Sequence, residues 1–89
     1  MSTHKISGDA VFAEVEDGAV VLHMVTKRYY SLNSTGMAIW GLLAGNIGLD
    51  RIASRLSEEY GVDRSLAFAS AERLVDELLA EGLLVVVPE

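Results

Sequence analysis

The chain has 89 residues, 51% of them hydrophobic, which makes one small domain with a thin core and is too apolar for disorder. Seven Lys and Arg against thirteen Asp and Glu leave a net charge of −6, so the chain repels a phosphate backbone rather than recruiting one. There is no cysteine, which excludes a disulfide framework and thiolate chemistry, and the two histidines, His4 and His23, stand too far apart to suggest a zinc site.

No run of about 18 apolar residues is present, so no membrane partner is expected. The first nine residues lack the apolar run of a signal peptide. A cytoplasmic protein is the expectation. Residues 1–9 are polar and are expected to be flexible, frayed at the tip. Val11 to Glu16 alternates, with Val11, Ala13 and Val15 on one face, and Asp17-Gly18 is a strong turn signal. Ala19 to Val25 is β-branched and apolar, as a central strand would be. Thr26-Lys27 is read as a tight connection into a third strand, Arg28 to Leu32. In a meander this strand has one partner, so its other side is an open edge.

Asn33 or Ser34 can cap the first helix, in which Met37, Ile39, Trp40, Leu42 and Leu43 recur at helical spacing. Gly45 is expected to close it in the left-handed conformation. A second helix runs from Leu49 to Tyr60, with Leu49, Ile52, Ala53, Leu56 and Tyr60 on one stripe, and ends at Gly61. Asp63 is placed to cap a third helix, Arg64 to Glu81, whose stripe is Ala67, Ala71, Leu74, Val75 and Leu78. Gly82 stops it. The β-prone tail, Leu83 to Val87, could return to the sheet or lie on the core. The order predicts an α+β domain: an N-terminal three-stranded antiparallel sheet, then three α-helices, in a winged helix-turn-helix-like arrangement.

No catalytic grouping and no nucleotide-binding motif stands out. Glu58-Glu59 reads as a solvated helix face, His23 as a partly buried strand residue and Trp40 as a core anchor. The paired second and third helices invite a DNA-binding reading, but the charges oppose it. The third helix carries Arg64 and Arg73 against Glu72, Asp76, Glu77 and Glu81. No nucleic acid is therefore expected as a partner. A binding module remains. An extended peptide can add to the open strand edge through main-chain hydrogen bonds. The small residues Ala67, Ala69, Ser70 and Ala71 either leave a groove beside that edge or simply allow close helix packing.

Tyr30-Ser31-Leu32-Asn33, then Gly36, Ile39-Trp40, Leu43 and Gly45, with Leu74-Val75, Leu78 and Gly82-Leu83-Leu84 later, resembles the PqqD-like family. Its members are recognition elements for ribosomally synthesised and post-translationally modified peptides (RiPPs). The resemblance spans Val11 to Leu84. The doubled tyrosine, Trp40 and the size look most like the leader-binding proteins of lasso peptide pathways. Gly48 departs from a common Ser or Thr cap, and Ser70 from an acidic residue frequent in PqqD.

The resemblance implies a protein that is not an enzyme and needs no cofactor or metal. It would bind the leader of a precursor peptide as an added strand in a cleft with the third helix, and deliver it to a leader-cleaving cysteine protease. By position it implies contacts at Lys27, Arg28, Tyr29, Tyr30, Ser31 and Leu32, and at Ala67, Ser70, Ala71, Arg73, Leu74 and Glu77. Alternation places Arg28, Tyr30 and Leu32 on one face and Tyr29 and Ser31 on the other. The pair Lys27-Arg28 is expected to attract acidic leader residues. The alternatives are a PqqD-type peptide chaperone of quinone cofactor synthesis and a winged-helix DNA-binding regulator.

Overall fold

A computed structural model describes residues 3–87. Five strands and three helices follow in the order β1 (Thr3–Ile6), β2 (Ala10–Val15), β3 (Gly18–His23), β4 (Tyr29–Leu32), α1 (Ser34–Ala44), α2 (Leu49–Tyr60), α3 (Arg64–Ala80) and β5 (Leu84–Val87). Strands β2, β3 and β4 form the three-stranded antiparallel sheet, in that spatial order. Three helices follow it, and α2 and α3 pack on each other as the helix-turn-helix pair.

Four local expectations are corrected. The segment expected to be flexible contains β1, which pairs antiparallel with β5, so the apolar tail joins a second, two-stranded sheet instead of the first; the tip expected to fray, residues 1–2, lies outside the described residues. Ile6 lies opposite buried Leu84, which explains why a polar N-terminal segment is nevertheless held. The first hairpin turns at Glu16-Asp17, and Gly18 already opens β3 opposite Val15. The central strand ends at His23, not Val25, because the His23 Nδ1 accepts the amides of Val25 and Thr26 and folds the chain into a turn. Lys27 occupies that turn with φ 66°, so the final strand begins only at Tyr29.

The helix ends also differ in detail. Asn33, not Ser34, caps α1: its Oδ1 accepts the Gly36 amide at 2.8 Å. Gly45 has φ −86°, and the left-handed residue is Asn46. Asp63 stands at the α3 N-cap position, but its carboxylate takes the Ser65 hydroxyl and no helix amide. At the C-terminus of α3, Leu83 N–H donates to Leu78 C=O and Gly82 N–H to Leu79 C=O, the Schellman pattern, with Gly82 at φ 72°.

The core lies between one sheet face and the helices. Ala19, Val21, His23 and Leu32 are buried on that face, against Ile39, Trp40, Leu43, Ile52, Leu56, Val75 and Leu78. Phe12 lies opposite Val21 and stacks on Trp40 with ring centroids 6.2 Å apart, so Trp40 is a core anchor. The glycine that opens β3 is set by proximity. A Cβ on Gly18 would stand 2.0 Å from the Leu32 carbonyl oxygen. Gly18→Ala is expected to destabilise the domain by about 1–3 kcal/mol through overpacking, read as a lower urea midpoint at unchanged slope.

Candidate functional site

The hydrogen bonds of β4 are divided between two sides. His23 N–H donates to Arg28 C=O, and the register continues Leu22↔Tyr29, Val21↔Tyr30, Val20↔Ser31, Ala19↔Leu32. In an antiparallel pair the bonded residues alternate. Tyr30, Leu32 and the Arg28 carbonyl are therefore directed to β3, the Arg28 amide donating instead to Thr26 Oγ1, while Tyr29 and Ser31 direct their backbone groups to the free edge. Side chains alternate in the other sense. Tyr30 and Leu32 face the helices, whereas Tyr29, 67% exposed, and Ser31 face away from them.

Beside this edge lies a cleft of about 360 Å³. Its strand side is Tyr30, Ser31, Leu32 and Asn33, and its helix wall is Ser70, Arg73, Leu74 and Glu77 of α3. Thr35, Gly36 and Ile39 close it from the first turns of α1. These three escape a reading by strand and third helix alone, although Asn33 is a usable signal: a cap directly after the strand brings the start of α1 to the strand's end. A second, more apolar cavity of about 320 Å³, among Leu56, Tyr60, Val62 and Leu66, shares Thr35 and Ser70 with the first. The two adjoin at these residues, side by side along α3.

Two residues expected on the helix wall lie deeper than the cleft lining. Ala71 is fully buried, and Ala67, 3% exposed, borders only the second cavity. Their small size serves close packing of α3 on the core, while the groove is faced by the next residues around the helix. Lys27 lies in the β3–β4 turn, outside the cleft lining. Arg28 is engaged as well: its guanidinium meets the Glu81 carboxylate with two of its three nitrogens, Nε–Oε1 at 3.1 Å and Nη2–Oε2 at 3.2 Å.

Strand β4 and helix α3 are joined by side chains at this end of the cleft. Below the Arg28–Glu81 pair, the Tyr30 hydroxyl donates to Glu77 Oε1. That bond, partial burial, and the negative charges of Glu77 and Glu81 push the Tyr30 phenol up to about 12. A neutral phenol donates; a phenolate would have no proton to give and would face two carboxylates. Among the described residues no group of acidic or histidine side chains is arranged to hold a metal ion, and no helix is long and apolar enough to cross a membrane.

An unpaired strand edge above a cleft is the architecture of a domain that accepts an extended peptide. The comparisons with known proteins agree with that class. The family model for Coenzyme PQQ synthesis protein D (PqqD) matches residues 18–84. A solved structure of TbiB1 in complex with the TbiA(beta) leader peptide is 30% identical, with a TM-score of 0.85, covering 96% of this chain and 99% of that one. A lasso peptide synthetase B1 complexed with its leader peptide is 26% identical, with a TM-score of 0.85, covering 92% and 96%. No curated protein matches the chain. The chain belongs to the PqqD family and is a PqqD-like RiPP recognition element.

Two measurements check this geometry. In an alkaline absorbance titration, Tyr30 should ionise near 12, and Glu77→Gln should bring it back toward 10. Because the folded value is raised, the stability it contributes is present below pH 10 and is lost as pH rises toward 12. Ala71→Asp should fail as a probe of the groove: an unpaired charge at this buried site costs about 3–5 kcal/mol, visible as lost cooperative unfolding by circular dichroism.

Proposed function

We propose that this protein binds the leader segment of a ribosomally made precursor peptide, of the lasso class, as a fourth strand on β4. The observation that carries the reading is the division of the β4 backbone. Tyr29 and Ser31 present donors and acceptors at an edge that opens onto an apolar-floored cleft. The solved relatives, which are complexes with leader peptides, support the same reading. Tyr29, Tyr30, Ser31 and Leu32 supply the strand contacts, with Ser70, Arg73, Leu74 and Glu77 as the opposite wall. The protein acts by holding and presenting the peptide, not by catalysis, and hands it to a leader-cleaving cysteine protease.

The affinity comes from main-chain bonds, which a mutation can address selectively. Ser31→Pro removes an amide that points to the edge and leaves the β3–β4 ladder complete, as proline is tolerated at such edge positions. Calorimetric titration with the leader of its own precursor peptide should show affinity lowered about tenfold or more in a folded protein. Tyr30→Pro, one residue earlier, removes a ladder amide and should unfold the sheet edge. Equal leader affinity of Ser31→Pro and the unchanged protein would overturn strand addition. In the unchanged protein, the Tyr29 and Ser31 amides should gain exchange protection when the leader is added. Leader-dependent association with the protease, and none with a radical enzyme of quinone cofactor synthesis, would distinguish the lasso role from that of a PqqD chaperone.

A further inference from the structure

The two bridges between β4 and α3 form a ladder with a missing rung. Arg28 pairs with Glu81, and Tyr30, two residues along the strand, bonds Glu77, four residues back along the helix. Two strand residues advance about 6.6 Å and four helical residues about 6 Å, so the two elements stay in step in opposite directions. The next rung is Leu32 with Arg73, and both line the cleft. Here the bridge cannot form, because the leucine is apolar and turned into the core at 4% exposure. Arg73 is exposed, and it makes no hydrogen bond or ion pair with any described residue.

Charge follows the same pattern. Glu77 is the only acidic residue of the cleft lining, and its carboxylate already accepts from Tyr30. Arg73 is the only basic one. A protein of net charge −6 thus faces its cleft with one cation that has no partner there. Arg28 is paired with Glu81 and Lys27 lies in the turn, and neither lines the cleft.

We propose that Arg73 selects leaders carrying an acidic side chain at the residue that pairs opposite Leu32. This rests on the strand-addition reading above. Residues directly opposite one another in an antiparallel pair project to the same face, so the peptide residue beside Leu32 enters the cleft as Tyr30 and Leu32 do. A carboxylate there completes the third rung with Arg73 in a cleft that the peptide itself shields from water. An apolar or basic residue at that position leaves the guanidinium unpaired.

The test is a charge swap scored as a double-mutant cycle. The probes are the leader of the precursor peptide this protein binds and a scanning set in which each of its acidic residues in turn is replaced by Lys. Titrated against the unchanged protein, one replacement should lower affinity about tenfold, and Arg73→Glu should lower affinity for the unchanged leader by a similar factor. The two changes together should recover most of the loss, and the salt dependence of binding should fall in Arg73→Glu alone. Arg73→Gln controls for packing, and its thermal unfolding should match the unchanged protein, since Arg73 bonds nothing described in the fold. Additive losses at every acidic position, or unchanged affinity in Arg73→Glu, would overturn the proposal while leaving leader binding intact. No binding by the unchanged protein would instead overturn the reading on which it rests.

Discussion

The constraint on which this domain depends is the sharing of one short strand. β4 has four residues, and its partner β3 engages only alternate ones through the backbone. It is secured by Leu32, buried among the helices, and by the close seat of its carbonyl against Gly18. The strand is thus held firmly from one side and from beneath, and no described strand pairs with its other side. Stability and availability come from the same four residues because they fall on alternate positions of the pleat.

Helix α3 approaches the strand without contributing backbone hydrogen bonds to it. The space between them is spanned by side chains, and these are charged or strongly polar at one end and small or apolar toward the other. Arg28, Tyr30, Glu77 and Glu81 set how far apart the strand and helix stand. Ser70, Leu74 and the shared Thr35 leave room between them. Ala67 and Ala71 act one layer lower, where their lack of bulk lets α3 settle on the core; Ala71 lines neither cavity, and Ala67 borders only the second.

Much of this was legible from residue patterns. Alternation in β2 and β3, helical spacing in α1 to α3 and the stops at Gly61 and Gly82 gave the order of elements and the α+β class. The face assignment of Tyr30 and Leu32 followed from period two. What escaped was set by partners distant in sequence. Thr3 to Ile6 is polar and becomes a strand because Leu84 to Val87 lies alongside it. Whether Ala71 or Ser70 faced the cleft depended on about 100° of helix rotation, which composition does not encode. His23 ended its strand by a ring nitrogen accepting two amides, a local bond that leaves no mark in hydropathy. The role of Thr35, Gly36 and Ile39 depended on how tightly α1 follows β4.

The pairing of β1 with β5 has a consequence for how such a domain can be used. Thr3 lies directly opposite Val87, so the incoming and outgoing chain are side by side on strands that share no backbone pairing with β4. A module whose two ends meet at one place behaves like a plug on a two-wire lead. It can be spliced into a loop of a larger polypeptide, or tethered through either end, without stretching the sheet that carries the exposed edge. In this fold the first and last described strands and the exposed edge stand on separate sheets, so one sheet can change in evolution while the other is kept.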